Sequence, residues 1–123
     1  MKLDYQLLKD ILTFLEDDEN AHAQSHFILD DNDLEKHFSG HTMVKITYHF
    51  SILNDDGLIH GFRRFSSGPG YSCLTAQGHR VLEGMKNDTL WNRIKEGALS
   101  SGVDSLRQIP ALTIQMLLAG ITK

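Results

Sequence analysis

The sequence predicts a mainly helical α+β domain carrying one small antiparallel β-hairpin, and three observations carry that prediction. Apolar residues recur at three- and four-residue spacing in several separate stretches, the period of amphipathic helices. Two short strand-like runs flank Ser66-Ser67-Gly68-Pro69-Gly70, a cluster of turn residues. The 123 residues are 41% hydrophobic and 23% charged, which suits one folded core and is too little chain for two independent ones.

Leu3, Leu7, Leu8, Ile11, Leu12, Phe14 and Leu15 fall on one broad helical face, with Asp4 as N-cap and Leu3 placed to staple onto Leu8. The acidic run Glu16 to Asn20 stacks negative charge at the negative end of the helix dipole and should stop that helix. His26 to Leu29 reads as a short edge strand, Asp33 to Phe38 as a short helix, and Ser39-Gly40 as the turn after it. Thr42 to Asp55 is the next helix, with Met43, Ile46, Phe50 and Leu53 as core face and Gly57 as a left-handed C-cap. Strands are expected at Leu58 to Phe65 and Tyr71 to Leu74, with residues 66–70 as the hairpin tip. Thr75 should cap a helix bearing Val81, Leu82 and Met85, and Asn87-Asp88 a further one bearing Leu90, Trp91 and Ile94. Ser100-Ser101-Gly102 breaks the chain before a last helix from about Ile109, where Pro110 fits the first turn.

Helix, turn, helix and hairpin in that order predict a winged helix-turn-helix over residues 1–86, with residues 87–123 as a helical extension of the same unit. Ile46 to Ile59 resembles the recognition helix and strand entry of ArsR/MarR-type repressors, which read V-S-x-H-L-x-x-L-x-x-x-G-L-V. The whole chain is more similar to domain-of-unknown-function family 2513, a family of bacterial and phage proteins. The marks of the resemblance are Met1-Lys2-Leu3-Asp4, the block Tyr48-His49-Phe50 to Gly57-Leu58-Ile59, Leu74-Thr75-Ala76-Gln77-Gly78-His79-Arg80-Val81-Leu82, and Asn87-Asp88-Thr89-Leu90-Trp91-Asn92. What it implies is a winged helix, frequent carriage in prophages and no established activity.

The face of the Thr42–Asp55 helix opposite its core presents His41, Val44, Lys45, Tyr48 and Ile52, with Thr42 and Thr47 at its margins. If that face reads double-stranded DNA, Thr42, Lys45, Thr47 and Tyr48 enter the major groove and Arg63 and Arg64 grip flanking phosphates. Lys45 is the single permanent cation on the helix, and no arginine or asparagine stands where groove readers bring bidentate donors. The alternative is a protein partner docking on Val44, Tyr48 and Ile52, and the third reading is packing beneath the terminal helices. Net charge of −4, from 16 acidic and 12 basic residues, opposes DNA unless the basic groups gather locally.

Chemistry of other kinds finds little support. His22 and His26, and likewise His37 and His41, have ligand spacing, but the second pair straddles Ser39-Gly40 and nothing completes a tetrahedral set. His49 and His79 are read as packing hydrogen-bonders, and Cys73 as an inert, half-buried thiol. The aspartate pairs have no visible partner that would tune them, and Gly68-Pro69-Gly70 lacks the lysine of a phosphate loop. No enzyme, metal or cofactor is expected. One cysteine, no signal-peptide pattern and no apolar run of about 20 residues point to a cytoplasmic protein without a membrane span. Ala111 to Ala119 is apolar nearly all round, which predicts burial against the domain or a homodimer through Leu112, Met116 and Leu117.

Overall fold

The computed structural model describes residues 2–18, 27–66, 68–95 and 109–110. Helix α1 runs Tyr5–Asp17, and Asp4 caps it by accepting from the Leu7 backbone N–H at 3.0 Å. Its buried face is Leu7, Leu8, Ile11, Leu12 and Leu15, as the spacing predicts, whereas Leu3 remains 41% exposed. Strand β1 is Phe27–Ile28. Helix α2 is Asp31–His37, starting two residues earlier than expected because the carboxylate of Asp30 takes the Asp33 N–H and sets the cap there.

Helix α3 spans Met43–Asp55, with the Thr42 hydroxyl accepting from the Lys45 N–H at 3.2 Å. Ile46, Phe50 and Leu53 are fully buried, and Met43 packs half-buried against them. At the other end Leu58 N–H reaches back to the Leu53 carbonyl at 2.9 Å and Gly57 sits at φ 73°, the left-handed cap the sequence predicts.

The hairpin departs from expectation in a way that shapes the sheet. The chain kinks at Gly61, so the first strand is two pieces, β2 (Ile59–His60) and β3 (Arg63–Phe65). Gly68-Pro69-Gly70 is not the tip but the buried strand β4 (Gly68–Tyr71), and β5 (Cys73–Leu74) follows. β4 is central in an antiparallel sheet of order β1-β4-β3, while β2 pairs with β5 in a second small ladder. In register, Arg63, Arg64 and Phe65 face Gly70, Pro69 and Gly68, and Phe27 faces Tyr71.

A proline in a central strand needs an explanation, and the hydrogen bonding supplies it. The Pro69 carbonyl accepts from the Leu29 N–H at 2.9 Å, so its ring nitrogen faces the same flank, at the very end of the short β1 ladder. One bond is forgone there and none on the β3 side. Gly68 is required as well: at φ 142° a side chain would be strained, and its Cβ would overlap the Leu29 carbonyl oxygen.

Helix α4 is Ala76–Met85, capped by Thr75, and α5 is Asp88–Lys95, whose Leu90 N–H is taken by the Asn87 side chain at 3.0 Å. Val81, Leu82, Met85, Leu90 and Trp91 join the α1 and α3 residues in one apolar cluster, which Ile109 also enters. The fold is therefore mainly α with a small antiparallel sheet. Among the described residues no helix is long and apolar enough to cross a membrane.

Candidate nucleic-acid interface

Helix α3 and strand β3 line the two sides of one groove, and the residues that the sequence marks for DNA contact fall on these elements or at their ends. Thr42 is exposed at the helix start; Thr47 and Tyr48 are half-buried on the outer face; Arg63 and Arg64 are exposed on β3. Among the described residues neither arginine is held by a carboxylate, which leaves both free for an external anion.

Lys45 is held differently. Its ammonium bonds the Asp4 carboxylate at 2.8 Å, with both side chains about one-third exposed, so the one cation of α3 is spent on the start of α1. That bond, with help from the Leu7 N–H, keeps the Asp4 carboxyl below its ordinary value against the opposing effect of burial. His49, fully buried one turn further on, completes the junction. Its Nε2 accepts from the Asp4 backbone N–H at 2.9 Å, and its Nδ1 lies 2.8 Å from the Lys45 carbonyl. A backbone N–H can only donate, so the ring is neutral with its proton on Nδ1. Burial holds it below the ordinary imidazole value, against the pull of the Lys45 carbonyl and of Asp4. His49 is a packing hydrogen-bonder, as read from the sequence. His79 is not: it is 57% exposed and sits 3.9 Å from the Glu16 carboxylate.

A groove of about 410 Å³ separates the two elements, lined by Met43, Val44, Thr47 and Tyr48 from the helix and Arg64, Phe65 and Ser66 from the hairpin. Val44 is 70% exposed and Phe65 40%. Ile52, expected on the same exposed strip, instead lies half-buried against the core. Phe65 and Ser66 escaped the sequence reading because residues 66–70 read as one loose tip, whereas the pairing of Phe65 with Gly68 carries the strand up to the groove.

Charge distribution is the second feature that reading missed. Between Lys36 and Leu82 the only carboxylates are Asp55 and Asp56, against Lys36, Lys45, Arg63, Arg64 and Arg80. The acidic excess of the chain lies in its first 35 residues, with ten carboxylates against Lys2 and Lys9. The stretch that carries α3 and β3 is thus locally basic within an acidic protein, and a windowed charge count would have found it. Leu112, Met116 and Leu117, the expected dimer contacts, lie outside the described residues, as do His22 and His26.

Comparison with known proteins adds lineage. The chain is 32% identical to an uncharacterized protein of Haemophilus influenzae (strain ATCC 51907 / DSM 11121 / KW20 / Rd) over 127 residues, covering 97% of this chain and all of the relative. No solved structure matches it. A family model described as hypothetical protein, DUF2513, matches residues 2–104, most of the chain, and the marks noted in the sequence fall within or at the edge of that span; the protein belongs to domain-of-unknown-function family 2513.

Proposed function

We propose that the helix, turn, helix and hairpin form a winged helix-turn-helix, and that the protein is a small DNA-binding transcriptional regulator with no catalytic step of its own. The observation that carries this reading is the exposed Arg63–Arg64 pair on β3, unpaired among the described residues, across a groove from the outer face of α3 and in a stretch almost without carboxylates. In this reading Thr42, Thr47 and Tyr48 meet the major groove, and the two arginines grip phosphates alongside. Lys45 contributes less than its position suggests, since Asp4 competes for it.

The test is fluorescence anisotropy on random duplex DNA at rising salt, with wild type and the Arg63→Ala/Arg64→Ala double variant. Each phosphate contact contributes about 0.9 to the slope of log K against log salt, so the variant should bind more weakly with a slope lower by about 2. An unchanged slope would remove the hairpin from the interface. Failure of the wild type to bind at low salt would sink the reading as a whole.

A second reading is favoured by Val44 and Phe65, whose exposed apolar surface flanks the α3–hairpin groove. In it the same face docks a protein partner, with Val44, Tyr48 and Phe65 as anchors. Val44→Asp would then abolish capture of that partner, whereas the DNA reading expects Arg63 and Arg64 to matter more.

A further inference from the structure

A larger cavity, about 710 Å³, lies between α1, β1, α2 and β4, and it shares no lining residue with the α3–hairpin groove. Its volume falls in the range of small-molecule sites, roughly 300–1,000 Å³. Two kinds of group line it. Phe14, Phe27, Phe38 and Tyr71 provide aromatic walls, and Asp10, Asp17, Asp18 and Asp33 provide carboxylates; no lysine or arginine is among the described lining residues.

Three details make this more than an acidic surface. Tyr71 is 4% exposed and enclosed by the rings of Phe14, Phe27 and Phe50 at 5.5 to 5.8 Å, and among the described residues its hydroxyl has no hydrogen-bond partner. The ring is buried while the hydroxyl stays accessible on the cavity wall, where a ligand can supply its hydrogen-bond partner. Among the described residues the carboxylates of Asp17 and Asp33 form no ion pair or hydrogen bond, whereas Asp10 accepts from Gln6 at 2.9 Å. Among the described residues no three histidine, cysteine or carboxylate side chains converge closely enough to hold a metal ion, so the acids surround the space without chelating.

We infer that this cavity binds an organic cation with an apolar body, a protonated amine or a guanidinium on a hydrocarbon stem. The carboxylates neutralise the charge, the aromatic faces attract it through their quadrupoles while covering the stem, and the Tyr71 hydroxyl offers an acceptor lone pair to the N–H group. Burial beside Asp18 and Asp33 pushes the Tyr71 phenol well above its ordinary value, so it stays neutral and keeps both its proton and its lone pairs. The inference is independent of the DNA reading. The cation has two natural sources, a free amine or a basic side chain of a peptide.

The experiment is an amide chemical-shift titration of the full chain at about pH 8, above the ordinary imidazole range. The probes are phenethylammonium, its neutral counterpart 2-phenylethanol, and a short arginine-containing peptide. Saturable shifts centred on residues 10–18, 27–29 and 33–38 are expected from a cation, with the alcohol about tenfold weaker and Asp33→Asn weakening the cation several-fold. Tyr71→Phe keeps the ring and removes the oxygen, and it should weaken the cation more than the alcohol. Saturation by phenethylammonium alone assigns the site to free amines, and by the peptide alone to a side chain. Equal binding of alcohol and ammonium, affinity unchanged in Asp33→Asn, shifts confined to other parts of the chain, or no saturation by either cation would each overturn the inference.

Discussion

At the residue scale, Thr75 and Gly78 explain why their block can mark a family without touching a ligand. The Thr75 hydroxyl donates to the Gly57 carbonyl at 2.7 Å and accepts from the Gly78 N–H at 3.0 Å, joining the end of α3 to the start of α4. Thr75 N–H adds a bond to the Leu58 carbonyl at 3.0 Å, and α4 then lies so close over that carbonyl that a Cβ on Gly78 would overlap its oxygen. Helical propensity alone would favour alanine at position 78 by about 1 kcal/mol. Here the backbone contact should win, and Gly78→Ala should lower stability by about 1–3 kcal/mol, seen as a lower urea midpoint with an unchanged m value. A midpoint equal to wild type would show that α4 can lift off the strand freely. His49 carries a second prediction at this scale. Its folded value lies below the ordinary 6.5, so the unfolded chain takes up the proton first and stability falls as pH drops from 6.5 through the folded value. In His49→Phe that pH dependence should shrink, and the Asp4 N–H left without an acceptor should cost about 1–3 kcal/mol at neutral pH. Denaturation curves of both proteins from pH 5 to 8 check the sign.

At the element scale, what was legible depended on whether the determining contacts were local. Helices α1, α3 and α4 follow from a 3.6-residue apolar period and from Asp4, Thr42 and Thr75 as caps, all visible within a few residues. The sheet did not yield in the same way. Gly68, Pro69 and Gly70 are turn residues by local chemistry, and only the approach of Leu29, some forty residues earlier in the chain, makes them a strand. The α3 outer face was legible in outline, but the loss of Lys45 to Asp4 is a tertiary event, and so is the inward turn of Ile52. That junction can be tested without disturbing the cap, because asparagine caps helices as well as aspartate does. Asp4→Asn should leave α1 intact and cost little stability, since a partly exposed pair contributes about 0–1 kcal/mol. In the DNA reading it frees Lys45, so binding should strengthen and the salt slope steepen by about 1. Unchanged binding would mean that Lys45 does not face the duplex even when released.

At the scale of the whole molecule, the uneven charge reconciles a net value of −4 with a basic face, and it makes the number of copies matter. In the DNA reading one copy offers Arg63 and Arg64, two arginines unpaired among the described residues, which is few phosphate contacts for useful affinity at physiological salt. Two copies would double them and match the two-fold symmetry of paired half-sites. The apolar run Ala111 to Ala119 is the segment expected to bring two copies together, and Leu117→Glu separates the two ways in which that run can be buried. If it forms a dimer interface, sedimentation should give twice 13.9 kDa for the wild type and 13.9 kDa for the variant, with a folded variant and a salt slope reduced by half. If instead the run packs on its own domain, a charge placed there costs several kcal/mol and the variant melts at a much lower temperature, with no change of mass while it is folded. A wild type that is monomeric at high micromolar concentration removes the dimer, and in the DNA reading affinity must then come from the α3 face and the hairpin of a single copy.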